Sequence, residues 1–161
     1  MKHRNSTRYL VQAAMIAAVY VVLTYLVNAL GWASGAVQLR LSEALTVLPF
    51  FVSSAVPGLW IGCMLANLLT GSALWDVVFG SLATLLGALG TRALRNRSPY
   101  LACVPPILAN TLIIPFVLRL VYGDATPMGF LFLTVGLGEV LSCGLCGTAL
   151  LFVLRRRGGL R

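Results

Sequence analysis

Long apolar runs, broken at a few points by small or polar clusters, divide the chain into segments. After a basic start with Lys2, Arg4 and Arg8, the apolar run from about Tyr9 to Leu30 is long enough to cross a bilayer as a helix, which takes roughly 20 residues. It is too long for the apolar core of a signal peptide and leads directly into further hydrophobic stretches, so it reads as a retained span. Gly31-Trp-Ala-Ser-Gly35 breaks the run. Residues 41–70 are apolar again but are interrupted at Ser53-Ser-Ala-Val-Pro-Gly58, which allows two short helices, 41–53 and 57–70, or one crossing with a re-entrant piece. A loop from Gly71 leads to a helix over 76–94 that closes on Arg92, Arg95 and Arg97. A segment over 103–121 holds Asn110, Pro115 and Arg119, and a last one over 128–154 holds Glu139 and ends in Arg155-Arg156-Arg157.

Composition places these segments in a membrane. The chain is 59% apolar and only 10% charged, whereas a soluble domain carries roughly 25% charged residues. The net charge of +8 comes from short basic clusters at segment ends rather than from a basic face with interleaved aromatics, so it points to topology and not to nucleic acid. The single lysine, Lys2, leaves no Gly-x-x-x-x-Gly-Lys phosphate loop, and the single histidine, His3, leaves no histidine-based triad or multi-histidine metal site. No cofactor is expected. Cys143-Gly-Leu-Cys146 has the spacing of a redox pair, but in a membrane helix it reads as two small packing residues, and Cys63 and Cys103 imply no disulfide framework.

Charge also settles the parity. Six crossings with the N-terminus inside put Lys2, Arg4, Arg8, Arg92, Arg95, Arg97, Arg155, Arg156, Arg157 and Arg161 on the cytoplasmic side and only Arg40 and Arg119 outside. One crossing over 41–70 would leave four basic residues inside against eight outside. The positive-inside rule therefore favours an all-α integral membrane bundle of six transmembrane helices in one domain, with both termini cytoplasmic.

The candidate chemistry lies in the outer half of that bundle. Arg40 and Glu43 sit in a polar hinge between apolar segments, where they form either a local ion pair or part of an embedded recognition site. Asn67, Trp75, Asp76, Arg119 and Asp124 share that half. Glu139 lies eleven residues into its helix, about 16 Å along the axis at the α-helical rise, where an unpaired carboxylate is costly. Ala13, Ala14, Ala17 and Ala18 form small-residue stripes suited either to internal packing or to docking on a membrane partner. Gly58 and Gly62 repeat that four-residue spacing.

Five blocks carry a family resemblance. Val37-Gln-Leu-Arg-Leu-Ser-Glu-Ala-Leu-Thr-Val-Leu-Pro-Phe-Phe51, Pro57-Gly-Leu-Trp-Ile-Gly-Cys-Met-Leu-Ala-Asn67, Asp76-Val-Val-Phe-Gly-Ser-Leu-Ala-Thr84, Pro105-Pro-Ile-Leu-Ala-Asn110 and Gly136-Leu-Gly-Glu139 resemble, in order, the signatures of the QueT family of queuosine-precursor transporters. The resemblance implies the substrate-binding S component of an energy-coupling factor (ECF) importer. Such a component captures a deazaguanine base, such as aminomethyl-deazaguanine, or queuine, and docks on a shared transmembrane subunit carrying two ATPases. It also implies that Ala14 and Ala18, with Ala13 and Ala17 beside them, contact that subunit. Nucleic acid is not an expected partner.

For such a base, Glu139 and Glu43 are the candidate carboxylates and Asn67 and Asn110 the amide readers. Asp76 is a further polar wall, Arg40 orients Glu43 or the base, and Trp75 and Phe79 are the stacking candidates. A stand-alone proton-coupled transporter and an S component for another vitamin-like ligand are the alternatives, although no inverted repeat supports the former. The lack of intramembrane histidine, lysine or metal clusters weighs against an enzyme.

Overall fold

A computed structural model of the chain describes residues 2–31 and 40–156, and it is all-helical, with no strand among the described residues. The elements are α1 (Lys2–Ala29), a 3-10 segment (Leu41–Phe50), α2 (Ala55–Leu69), α3 (Leu74–Ala93), α4 (Val104–Val121), α5 (Met128–Glu139), a π-helical segment (Val140–Gly147) and α6 (Thr148–Arg156). Two short 3-10 turns, Leu94–Asn96 and Pro99–Cys103, join α3 to α4. The loop from Gly31 to Leu41, whose glycines suit a lid or a passive connector equally, consists mainly of residues 32–39, which lie outside the described residues.

Four runs, Ser6–Ala29, Leu74–Asn96, Pro99–Val121 and Met128–Arg156, are long and apolar enough to cross a membrane, while Leu41–Phe50 and Ala55–Leu69 are shorter apolar helices. Residues 41–50 are 3-10 rather than α-helical, and Pro49, which has no N–H to donate, lies inside the segment. A 3-10 helix rises about 2.0 Å per residue. Ten residues therefore reach about 20 Å, nearly the length of the 15-residue α2 at the α-helical rise. Helix α1 begins well before Tyr9, because residues 2–8 contain no helix breaker.

Side-chain register fixes the direction of each segment. The 3-10 segment is antiparallel to α1: Thr24 meets Ser42, Tyr20 meets Glu43, and Tyr9 reaches the Ser53 carbonyl. Helix α2 then runs parallel to α1, with Gly58 against Ala13 and Gly62 against Ala17. Helix α3 returns antiparallel to α2, with Gly80 opposite Asn67 and Thr84 opposite Cys63. Helix α4 is antiparallel to α3, with Pro106 on Gly87 at one end and Tyr122 bonded to Asp76 at the other. The run from α5 to α6 reverses once more, with Phe132 on Phe116, Gly136 at Thr111 and Gly144 at Ile107. Successive segments alternate, so α1 starts and α6 finishes at the same end of the bundle. Arg8, Arg92, Arg95, Arg97, Arg155 and Arg156 gather at that end, whereas Arg40 and Arg119 lie at the other.

Glycine permits close approach between neighbouring helices. A Cβ on Gly62 would lie 3.0 Å from Ala17 Cα, and one on Gly87 only 2.6 Å from Pro106 Cα. The core in between is built from small side chains, with Ala55, Cys63, Ala66 and Ala88 packed around Leu59 and Tyr20. Close backbone approach thus takes over the role that large apolar side chains play in a soluble core.

Candidate functional site

Glu43, in the first turn of the 3-10 segment, is completely buried. The Tyr20 hydroxyl on α1 donates to its Oε1, while its Oε2 has no hydrogen-bond partner among the described residues. Thr24 anchors the same end of the segment by donating to Ser42 Oγ at 2.8 Å. Glu139, the last residue of α5 before the π segment, is 5% exposed, and its Oε2 is also unpartnered. The π segment then turns Ser142 and Cys143 toward the 3-10 segment. Ser142 Oγ accepts the Arg40 backbone N–H at 3.1 Å, and Cys143 Sγ lies 3.1 Å from Thr46 Oγ1. Wide π turns of this kind concentrate at functional sites.

Asn110 of α4 lies beside both carboxylates, close enough to act on each electrostatically. Its Nδ2 nevertheless meets hydrogen-bond geometry with neither and is buried without a partner, as is Thr111 Oγ1 next to it. Thr84 of α3 faces Glu43 from the other side and donates to Cys63 Sγ at 3.3 Å. The Arg40 charge acts most strongly on Asp76 and more weakly on Tyr20, Cys63 and Glu43. Arg40 thus interacts electrostatically with Asp76, Tyr20 and Cys63 as well as with Glu43.

Toward the Arg40 end, Asn67 and Asp76 face each other across Gly80. A Cβ on Gly80 would lie 3.1 Å from Asn67 Nδ2 and 3.4 Å from Asp76 Oδ1. Tyr122 donates to Asp76 Oδ2 at 2.9 Å and accepts the Ala73 backbone N–H at 3.1 Å. Arg119 and Asp124 are engaged in their own loop: Arg119 donates to the Asp124 and Thr126 carbonyls, and Asp124 Oδ1 accepts the Thr126 N–H. The Thr126 side chain and then its backbone N–H, both bonding to the carboxylate, hold the Asp124 carboxyl below the usual carboxylate range.

Two sets of expected residues lie elsewhere. Trp75 and Phe79 stack on each other, centroids 5.9 Å apart, and line an apolar groove of about 610 Å³ with Leu82, Leu112, Phe116 and Leu120 on the outer face of α3 and α4. The cause is helical phase: Asp76 and Gly80 occupy the buried stripe, and the residue before each is turned by about 100°. The stacking role expected of this pair is thus not met by its position. Ala13 and Ala17 are buried against α2, which removes them from any docking surface, whereas Ala14 and Ala18 are exposed. Cys143 is buried and Cys146 half-buried, and both are free thiols.

Comparison with known proteins follows from this geometry. The model of the QueT transporter family matches residues 10–156, which includes every residue of the polar cluster. The chain belongs to the QueT transporter family. It is 37% identical over 84 residues to the Queuosine precursor transporter QueT of Lactococcus lactis subsp. cremoris (strain MG1363), a match covering 52% of this chain and 48% of that relative. The chain thus spans about half the length of the curated relative it matches. No solved structure matches. As a member of this family, with four runs long and apolar enough to cross a membrane, the protein is a multi-pass protein of the cytoplasmic membrane.

Within this QueT-family chain, the cluster also contains residues that carry little signal in the sequence. Tyr20 sits in an otherwise apolar stretch of α1. A buried phenol needs a partner, and that requirement is the one cue to its inward orientation. Thr84 and Thr111 give still less, because a threonine hydroxyl in a helix can bond the carbonyl four residues back, as Thr84 does with Gly80.

Proposed function

We propose that this chain is the S component of an ECF importer and captures a queuosine precursor, a deazaguanine base such as aminomethyl-deazaguanine or queuine, from outside the cell. Family membership and the relative's name support the substrate class. The observation that carries the reading is a set of buried polar atoms without partners among the described residues: Glu43 Oε2, Glu139 Oε2, Asn110 Nδ2 and Thr111 Oγ1. Each such atom costs about 1–3 kcal/mol if left unmet. Two acceptors, an amide donor and a hydroxyl match the edges of a guanine-like base, which offers adjacent N–H donors and a carbonyl. Asn67 and Asp76 form the outer wall of this site, and Arg40 balances its carboxylates.

Delivery depends in this reading on a shared transmembrane subunit and two ATPases, since the chain has no phosphate loop of its own. Ala14 and Ala18 form the docking stripe. Six membrane crossings with both termini cytoplasmic are supported by the alternating segment directions and by the gathering of basic residues at one end.

Calorimetric titration of the purified chain with aminomethyl-deazaguanine, queuine and guanine tests the capture role. Tight binding of a deazaguanine is expected, with guanine weaker and Glu139→Gln reduced by about tenfold or more. No binding of any deazaguanine to folded protein would remove the assigned substrate. The two buried carboxylates also favour a second reading, in which one of them carries a coupling proton in a stand-alone transporter. Uptake by vesicles containing this chain alone, driven by a proton gradient, would decide for that alternative.

A further inference from the structure

The two buried carboxylates are not equivalent. Glu43 has one oxygen held by the Tyr20 hydroxyl and one open, so it offers a ligand a single acceptor. No hydroxyl among the described residues holds Glu139 as Tyr20 holds Glu43, and Glu139 Oε2 is unpartnered there. A carboxylate that accepts two parallel N–H bonds needs both oxygens free and coplanar with the donors. Tyr20 occupies one of the two acceptor sites on Glu43 Oε1 and so disfavours this at Glu43, and Tyr20 itself is held: it is fully buried, and its Cβ lies where a side chain on Gly62 would have to be.

We propose that Tyr20 is a positioning residue that divides the recognition work, so that Glu139 accepts the paired N–H donors of the base and Glu43 accepts one cationic N–H donor on the opposite side of the ring. This rests on the function proposed above and adds the orientation of the ligand. A cationic arm suits the site, because the carboxyl groups of Glu43, Glu139 and Asp76 are buried there and Arg40 is the basic side chain that acts on them. Asn110, lying between the two acids, is left to serve the ring carbonyl and nitrogen.

The test is a ligand-by-variant titration on the full chain. The ligands are aminomethyl-deazaguanine, deazaguanine without the aminomethyl arm, and the aminomethyl analogue without the exocyclic amino group. The variants are Glu43→Gln, Glu139→Gln and Tyr20→Phe, each checked for folding by its melting temperature with no ligand. Glu43→Gln is expected to abolish the preference for the aminomethyl arm, a change of about tenfold or more, while deazaguanine binding stays near wild type. Glu139→Gln is expected to abolish the preference for the exocyclic amino group and to keep the preference for the arm. Tyr20→Phe is expected to shrink the preference for the arm without weakening deazaguanine, whereas a merely structural role would weaken all three ligands equally. The reverse pattern, or uniform losses across ligands, overturns the proposal. Failure of the wild-type chain to bind any of the three would instead remove the substrate reading beneath it.

Discussion

Gly80 shows how finely single residues are set in this site. It is the one position where a methyl group would touch both Asn67 Nδ2, at 3.1 Å, and Asp76 Oδ1, at 3.4 Å. Both contacts are side-chain ends that can give by a few tenths of an ångström, and alanine suits a helix interior better than glycine by about 1 kcal/mol. Gly80→Ala should therefore leave the melting temperature unchanged or slightly raised, yet weaken ligand binding several-fold by pushing Asn67 and Asp76 off their positions. Unchanged affinity in a calorimetric titration would show that this outer pair contributes nothing to capture. At this scale the sequence spoke clearly for some residues and hardly at all for others. Glu43, Asn67, Asp76, Asn110 and Glu139 stand out because a charged or amide group is costly in an apolar helix, and all five are buried. Tyr20, Thr84 and Thr111 do not stand out, since a hydroxyl fits either a polar site or a self-satisfied helix. Trp75 and Phe79 stand out for the opposite reason: aromatic rings suit both a binding wall and a lipid-facing surface, and only the helical phase relative to Asp76 separates the two.

Helices carry the same ambiguity in their small-residue stripes. The alanine pairs of α1 are offset by one residue, about 100° around the axis, and this offset gives neighbouring residues opposite surroundings. Ala17 is buried, with its Cα 3.0 Å from where a Gly62 side chain would begin, whereas Ala18 is exposed. Ala17→Leu should prise α1 from α2, destabilise the protein by about 1–3 kcal/mol through overpacking, and weaken ligand binding by displacing Tyr20 three residues on. Ala18→Leu should leave melting temperature and ligand affinity as they are but reduce co-purification with the proposed ECF transmembrane subunit. Equal melting temperatures for the two variants would contradict the register of α1 on α2, and undiminished co-purification of the Ala18 variant would remove this stripe as the docking surface. The positions of the segments were legible because apolar runs and Gly/Pro breaks mark them. Their helix types were not. Nothing in Leu41–Phe50 beyond Pro49 announces a 3-10 helix, and we find no residue in Val140–Gly147 that requires the π geometry.

The whole molecule is arranged along one axis, with charge at the two ends and a buried polar layer between them. Parity is the property on which the proposed topology stands, because residues 41–70 crossing once or twice reverses the side of everything that follows. The 3-10 segment and α2 run in opposite directions beside α1, as the contacts of Glu43 with Tyr20 and of Gly62 with Ala17 require. Two short elements running in opposite directions return the chain to the side from which it came, and a single crossing would not. With the N-terminus cytoplasmic, Ser98 in the α3–α4 turn then lies inside and Ala125 in the α4–α5 loop outside; both are exposed. Single substitutions Ser98→Cys and Ala125→Cys can be labelled in intact cells with a membrane-impermeant maleimide. The native thiols give little background, since Cys63, Cys103 and Cys143 are buried and Cys146 is half-buried mid-bundle. Ala125→Cys should label directly and Ser98→Cys only after permeabilisation. The opposite pattern would mean an odd number of crossings before Ser98. It would put most of the arginines outside, against the positive-inside rule, and leave Arg119 on the opposite side of the membrane from Arg40.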